Sequence, residues 1–182
     1  MAARAKTVVI GVTGSIACYK ACDVVSALRK LPGVDVRVVM TKDAAQFVTP
    51  MTFQTLSGHP VYHDVFEAPE EWDLLHTSLA AAADVVAVCP ATMNILGKLA
   101  HGLCDDLVSS VVFATKAPVL LVPAMHREMF AHPATRQNLA TLKTFGYETV
   151  GPVHGTLACG VVGMGHIAEP EAIVQAIRRK LA

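Results

Sequence analysis

Runs of β-branched residues alternate along the chain with segments whose apolar residues recur at helical spacing. The runs predict buried strands, and the intervening segments predict amphipathic helices. Strands are predicted from Thr7 and over 34–40, 84–90, 118–122 and, as a short strand, 147–150. Helices are predicted over 16–30, 76–83, the later part of 91–107, a stretch ending at 114, and 132–145 and 171–181, with short helical pieces over 42–47 and 51–57.

This alternation predicts a doubly wound parallel sheet with helices on both faces, a three-layer α/β/α arrangement. We expect a single domain over residues 1–182, with a glycine-rich, lid-like loop over about 151–170. The segment 58–73, which holds His59, His63 and Trp72, matches neither period and receives no assignment.

Ligands bind such sheets at the carboxyl ends of the strands, where four segments are expected to meet: 11–16, 41–47, 90–94 and 123–130. In the first, Gly11 and Gly14 separate a strand from a helix, which is typical of a phosphate site but also of a plain structural turn. A dinucleotide fingerprint would need a glycine where Thr13 stands. The turn therefore suits a mononucleotide, with hydroxyls from Ser15 and Thr41.

Composition narrows the function classes. Of the 182 residues, 53% are hydrophobic and 16% charged, and the formal net charge is zero, which indicates apolar surface buried in an oligomer. A neutral chain without a Lys/Arg block argues against a nucleic-acid partner. No apolar run approaches the ~20 residues of a membrane span, and the N-terminus lacks the apolar core of a signal peptide, so a cytoplasmic location is expected. Five cysteines without a paired CxxC indicate neither a disulfide framework nor a metal site.

Four motifs carry a family resemblance in the same order along the chain. They are GSIACYK at 14–20, PATMN at 90–94 followed by GKLAHGLCDDL, PAMHREM at 123–129, and ACG at 158–160. Together they resemble the homo-oligomeric flavin-containing cysteine decarboxylases. That family includes phosphopantothenoylcysteine decarboxylase of coenzyme A biosynthesis and enzymes that act on the C-terminal cysteine of ribosomally made precursor peptides. The similarity extends from about Val8 to Pro170.

The resemblance implies a Rossmann-like or flavodoxin-like FMN-binding domain assembled as trimers, or as a dodecamer of trimers, with flavin sites at subunit interfaces. It implies catalytic roles for His76, His126 and Cys159, and substrate contacts from His126 and Met129. The cofactor contacts that it implies are Gly14, Ser15, Ile16, Thr41, Phe47, Ala91, Thr92 and Asn94.

The resemblance also suggests how the catalytic residues act. His76 would be the thiol base or a proton relay, although its position alone equally fits a solvated residue at a helix start. In the coenzyme A enzyme, the cysteine of the ACG motif returns reducing equivalents to the product, whereas the peptide enzymes release an enethiol. Cys159 matches that cysteine; its alternative is an inert loop residue.

Two departures from the family pattern stand out. The family segment P-x-M-N-x-x-M-W has His126 in place of its Asn and Phe130 in place of its Trp. That Asn is understood to engage the substrate carboxylate, and a histidine can donate the same kind of hydrogen bond. In the PATMN segment, Met93 and Ile95 replace more polar residues.

We therefore expect FMN-dependent oxidative decarboxylation of a cysteine carboxylate. The altered His126 and Phe130 favour a precursor peptide ending in cysteine, which would give an aminoenethiol. Cys159 favours the alternative, phosphopantothenoylcysteine. A second alternative is a non-catalytic, regulatory flavin-binding protein. A nicotinamide dehydrogenase lacks support because Thr41 stands where an acidic residue would end the second strand, and the motif set points away from a flavin prenyltransferase.

Overall fold

A five-stranded parallel sheet forms the centre of the structure, a computed structural model that describes residues 4–64 and 75–182. The strands lie in the order β2-β1-β3-β4-β5. Their bounds are β1 Lys6–Val12, β2 Val34–Met40, β3 Val85–Ala91, β4 Val119–Pro123 and β5 Glu148–Thr149. Every neighbouring pair is parallel, as the alternation of strands and helices predicts.

Helices cover both faces of this sheet. They are α1 Cys18–Arg29, α2 Pro50–Ser57, α3 Leu75–Ala82, α4 Met93–His101, α5 Leu107–Ala114, α6 Arg127–Ala131, α7 Pro133–Thr144 and α8 Pro170–Leu181, with a 3₁₀ turn at Ala44–Gln46. In the part of the chain that the structure describes, none of these helices has the length and hydrophobicity that a membrane crossing requires.

The two faces of the sheet form two cores. Successive strand residues point to opposite sides, so Val8 and Ile10 pack with α1 and α8, whereas Val9 and Val88 pack with α4 and α5. All seven residues of β3 are buried, as expected for a central parallel strand. The three-layer, doubly wound α/β prediction is confirmed.

The strand order changes direction between β1 and β3. The chain leaves β1 toward β2 on one side, and leaves β3 toward β4 on the other. The connections therefore diverge and open a crevice above the carboxyl ends of β1 and β3, which is where such sheets bind ligands.

The predicted loop over 151–170 is not irregular along its whole length. It contains an antiparallel hairpin of β6 Val153–Thr156 and β7 Val162–His166. The prediction missed this hairpin because Gly155, Gly163 and Gly165 interrupt the β-branched pattern that marks a strand.

Within the unassigned segment 58–73, Tyr62 forms an isolated parallel bridge with Val39 of β2. Residues 65–73 of this segment, including Trp72, lie outside the described residues.

Candidate functional site

A cavity of about 610 Å³ opens above the carboxyl ends of β1, β2, β3 and β4. This volume lies in the range of small-molecule and cofactor sites. The lining residues come from the segments that follow these four strands, together with the start of α5: Thr13, Gly14, Ser15, Thr41, Lys42, Asp43, His63, Asp64, Thr92, Met93, Asn94, Ile95, Lys98, Asp105, Asp106, Leu107, Ala124, Met125 and Met129.

The turn between β1 and α1 presents free backbone donors to this cavity. Among the described residues, no group accepts a hydrogen bond from the N–H groups of Gly14, Ser15 or Ile16. A Cβ on Gly14 would lie 2.5 Å from the Cβ of Asp43, so only glycine lets the turn approach the segment after β2 this closely. Consecutive unpaired N–H groups before a helix bind anions, phosphates in particular.

A second set of donors comes from the start of α4. Thr92 caps this helix, its Oγ1 accepting a hydrogen bond from the N–H of Ile95 at 3.3 Å. The N–H groups of Met93 and Asn94, which also line the cavity, have no acceptor within the described chain. The cavity is thus bordered by two helix starts, both of which favour electron-rich ligand atoms.

A charged cluster forms one wall of the cavity. The ammonium of Lys98 donates to Asp105 at 2.7 Å and to Asp106 at 2.8 Å. Burial alone would lower the pKa of Lys98, but these hydrogen bonds outweigh it and raise that pKa above its usual value. The hydrogen bond from Lys98 lowers the pKa of Asp105. Lys98 and Asp105 therefore stay charged near neutral pH, and the carboxylates of Asp105 and Asp106 lie beside the positive charge of Lys98 within the wall.

A second cavity, of about 360 Å³, adjoins the first and shares Ser15, Ala124 and Met125 with it. His126 and Cys159 both line this second cavity, although they come from different elements. His126 follows β4, and Cys159 lies at the tip of the β6-β7 hairpin. The fold therefore brings an imidazole and a thiol to one compartment beside the larger cavity.

His126 is held by a helix cap. Its Nδ1 accepts a hydrogen bond from the N–H of Glu128 at 3.3 Å, at the start of α6. An accepting Nδ1 carries no proton, so the neutral ring has its proton on Nε2, which can donate. An asparagine at an N-cap accepts through Oδ1 and keeps its N–H groups as donors. His126 can therefore cap α6 and still offer one donor, as an asparagine at this position could, but from a larger ring.

Cys159 lies in a tight turn that explains the glycine beside it. The N–H of Gly160 donates to the carbonyl of Leu157, and the N–H of Leu157 donates to the carbonyl of Val161, each at 2.8 Å. Gly160 has a φ of 83°, a left-handed conformation typical of the glycine in a three-residue hairpin loop. The turn leaves the Cys159 side chain exposed at the hairpin tip.

The structure places the predicted site residues in three groups. The first cavity is lined by Gly14, Ser15, Thr41, Thr92, Asn94 and Met129. The second is lined by Ile16, His126 and Cys159, and again by Ser15. Among the described residues lining either cavity, Phe47, His76 and Ala91 are not found.

Each of these three residues has a different environment. Phe47 is 51% exposed, and His76 is half-buried near the start of α3. Ala91 was expected at the start of a loop, but it continues β3, pairs with Pro123 and is buried. These positions do not test the roles that the resemblance implies, which stay predictions.

Sequence reasoning missed several lining residues. Lys98, Asp105 and Asp106 belong to a quoted motif, GKLAHGLCDDL, but their charge predicts a solvated surface. In the sequence, Thr13 stands out only because a dinucleotide fingerprint would have a glycine there. Thr13 could have been identified from its position directly after a buried strand. The neighbouring strand end carries a second threonine, Thr92.

Comparison with known proteins gives a consistent family. The family model described as Flavoprotein matches residues 2–182. The chain is 43% identical over 177 residues to the coenzyme A biosynthesis bifunctional protein CoaBC of Bacillus subtilis, covering 97% of this chain and 43% of that protein. It thus spans less than half the length of this bifunctional relative. It is 42% identical over 178 residues to a probable phosphopantothenoylcysteine decarboxylase of Streptococcus mutans, covering 97% of this chain and 99% of that one.

Solved structures agree in fold over nearly the whole chain. A cysteine-to-serine mutant of a PPC decarboxylase, complexed with pantothenoylaminoethenethiol, superposes with a TM-score of 0.88 at 29% identity, covering 97% of this chain and 98% of that one. The FMN-dependent cysteine decarboxylase SpaF superposes with a TM-score of 0.83 at 30% identity, with the same coverage. With a family model that spans residues 2–182 and relatives above 40% identity, the chain belongs to the Flavoprotein family.

Proposed function

We propose that this chain is an FMN-dependent decarboxylase whose substrate is phosphopantothenoylcysteine, the reaction of coenzyme A biosynthesis. The observation that carries the proposal is that His126 and Cys159 line one compartment beside a mononucleotide-sized cavity. The substrate assignment is supported by the names of relatives 42–43% identical to this chain. From the sequence alone, a precursor peptide ending in cysteine is the first expectation and phosphopantothenoylcysteine its alternative.

The residues of the larger cavity fit FMN. The N–H groups of Gly14, Ser15 and Ile16, which have no acceptor among residues 4–64 and 75–182, suit the phosphate, with hydroxyls of Ser15 and Thr41 beside them. The start of α4, where the N–H groups of Met93 and Asn94 have no acceptor within the described chain, offers donors to a polar ring edge. When bound, FMN supplies reversible two-electron exchange with the substrate, which a protein side chain cannot provide.

Temporary oxidation makes the loss of carbon dioxide possible. Direct cleavage of the Cα–carboxylate bond would leave an unstabilised carbanion. If the thiol proton and a hydride from the β-carbon leave first, a C=S group forms next to the α-carbon and accepts the electron pair of the breaking bond. The enethiolate then regains a hydride and a proton, so the overall reaction loses only carbon dioxide and is redox-neutral.

His126 and Cys159 have distinct tasks in this scheme. The donating Nε2 of His126 would anchor the substrate carboxylate. A single thiol gives up two electrons only when its sulfur bonds to a second sulfur or to oxygen, and among the described residues that line the second cavity Cys159 is the one cysteine. We therefore assign Cys159 the proton that accompanies the returning hydride. In one relative, a cysteine-to-serine mutant is complexed with an aminoethenethiol, the product expected when that last step fails.

We propose that His76 reaches the site of a second copy of the chain. In a single chain it lines neither cavity among the described residues, whereas Phe47 and Met51 expose 51% and 75% of their surface and offer apolar area for an interface.

Co-expressing His76→Asn with Cys159→Ser tests whether His76 acts in the site of a second copy. Sharing between subunits predicts that the mixture forms saturated product, which neither variant forms alone. A mixture no better than the two separate variants would contradict it.

The substrate is tested by offering the flavin-loaded protein phosphopantothenoylcysteine and short peptides ending in cysteine, each followed by mass spectrometry. We expect turnover of the pantothenoyl substrate with a loss of about 44 Da, carbon dioxide alone. A loss of about 46 Da from peptides only would instead establish the peptide substrate. No carbon dioxide from either would favour the non-catalytic flavin-binding protein.

The peptide substrate remains a second candidate because of two specific residues. His126 and Phe130 depart from the family segment, and His126 and Met129 of this segment line the two cavities, so a change here bears on which substrate is bound. Similarity to the cysteine decarboxylase SpaF at 30% identity is compatible with this alternative.

A further inference from the structure

The Cys159 hairpin is attached to the segment that carries His126. The N–H of Met125 donates to the carbonyl of Gly165 at 3.1 Å. A Cβ on Gly165 would collide with the carbonyl oxygen of Met125, and one on Gly163 would lie 3.1 Å from the Arg127 side chain. Strand β7 is therefore seated closely against the chain just after β4. This contact fixes the base of the hairpin on one side.

His166, at the end of β7, provides the second attachment. Its Nδ1 lies 2.9 Å from the carbonyl oxygen of Thr156 on β6, and its Nε2 lies 3.1 Å from Nζ of Lys20 on α1. A carbonyl only accepts and an ammonium only donates, so these two contacts are hydrogen bonds when Nδ1 carries the proton and Nε2 accepts. One imidazole thus joins both strands of the hairpin to α1.

Lys20 is itself well fixed. Its side chain is only 12% exposed, and its ammonium donates to both carboxylate oxygens of Glu169 at 3.1 Å. Helix α1 begins directly after the turn at Ser15 and Ile16 that lines both cavities. Lys20 therefore ties the Cys159 hairpin to the same helix that presents the phosphate-binding turn.

We propose that Lys20 and His166 are positioning residues that hold the Cys159 hairpin over the second cavity and thereby determine whether the product leaves saturated or as an enethiol. This inference rests on the proposed function. Carbon dioxide is lost before Cys159 is needed, so a displaced hairpin should spare that step. The enethiol would then leave without its hydride and proton, and the two electrons kept by the protein would pass to dioxygen.

The test compares His166→Ala and Lys20→Met with the wild type on phosphopantothenoylcysteine in air. We expect the enethiol share of the product to rise by about tenfold or more, while carbon dioxide release changes by less than about threefold. Lys20→Arg keeps a charged donor, so the enethiol share of its product should equal that of the wild type. The matched control is His154→Ala, an exposed histidine on β6 of the same hairpin.

Amide hydrogen exchange provides a readout independent of turnover. Loss of the attachment should speed exchange at Leu157 and Gly160, whose N–H groups close the hairpin turn. An unchanged enethiol share in both variants, in a protein whose wild type forms saturated product, would overturn the inference. If the wild type does not decarboxylate this substrate, the proposed function fails instead. The exchange measurement still decides the attachment, because equal rates in His166→Ala and wild type would contradict it.

Discussion

Thr13 and Pro90 are joined by a buried hydrogen bond at the point where the sheet changes direction. The hydroxyl of Thr13 donates to the carbonyl oxygen of Pro90 at 2.6 Å, and accepts from the N–H of Thr92 at 3.2 Å. Thr13 is 1% exposed. A single hydroxyl therefore ties the carboxyl end of β1 to that of β3, and sets the spacing of the two helix starts that border the larger cavity.

Replacing Thr13 with valine should destabilise the fold and loosen flavin binding. Valine keeps the shape of the side chain but leaves the Pro90 carbonyl and the Thr92 N–H without their hydrogen-bond partner. The free energy of unfolding should fall by about 1 to 3 kcal/mol. Thermal unfolding with and without FMN measures both effects. Thr144→Val is the matched control, because Thr144 makes a 2.6 Å hydrogen bond to Thr141 on the exposed side of α7. Equal effects of the two substitutions would contradict the role of Thr13.

Gly14→Ala should abolish stable flavin binding. The added Cβ would lie 2.5 Å from the Cβ of Asp43, so the turn would have to move away from the segment after β2. Flavin absorbance of the purified protein measures the loss. Adding Asp43→Gly removes the clashing atom and should restore part of the binding.

Gly97→Ala serves as a control for the Gly14 substitution. Its Cβ would meet the side chain of Asn138 at an ordinary 3.6 Å inside α4. Alanine is also the better helix former, by up to about 1 kcal/mol. Normal flavin content is therefore expected, and a Gly14→Ala protein that is equally yellow would show that the close approach is unimportant.

His126 should tolerate asparagine but not leucine. Asparagine retains an acceptor for the Glu128 N–H and a donor for the substrate, whereas leucine retains neither. A hydrogen bond to a charged group contributes about 1.5 to 3 kcal/mol, so kcat/KM for His126→Leu should fall by about 10- to 150-fold. Steady-state kinetics of both variants check this, and a His126→Leu enzyme with wild-type kcat/KM would remove His126 from the carboxylate site.

Asp35 should make stability depend on pH below about 4. Burial opposes its charge, but hydrogen bonds from Arg37 at 2.8 Å and His59 at 2.6 Å outweigh burial and lower its pKa. Because the folded pKa is the lower one, the stabilisation is complete above the unfolded value of about 3.9 and is lost as pH falls through the folded value.

Thermal unfolding as a function of pH measures this effect. Asp35→Asn should lower stability by about 1 kcal/mol near pH 7, and the difference from wild type should shrink below about pH 4. Asp23→Asn, at an exposed position on α1, should give no such pH-dependent difference. A difference that stays constant down to pH 2 would contradict the assignment.

The main sheet could be predicted closely from the sequence because β3 and β4 are continuous apolar runs and β1 and β2 are rich in β-branched residues. Strand β2 has the predicted bounds, and β1, β3 and β4 differ by one residue or so. The hairpin could not be predicted in this way. Gly163 and Gly165 interrupt the strand pattern because they lie against Arg127 and Met125, which are distant in sequence and adjacent only in the folded chain.

The site was only partly predictable for a similar reason. Residues that follow strands, such as Ser15, Thr41 and Thr92, could be placed by topology alone. Lys98 could not, because its charge indicates a solvated helix face and only the fold shows Asp105 and Asp106 beside it. Sequence position also does not tell whether His76 reaches a cavity of its own chain, and in the described residues it lines neither cavity.

The central claim is that Cys159 completes a redox-neutral decarboxylation, and the products of wild type and Cys159→Ser on phosphopantothenoylcysteine test it most directly. The account predicts a mass loss of about 44 Da for the wild type and about 46 Da for the variant, the difference being the two hydrogens that are not returned. A variant that still loses about 44 Da would contradict the role of Cys159. A wild type that loses about 46 Da would contradict the redox-neutral reaction itself.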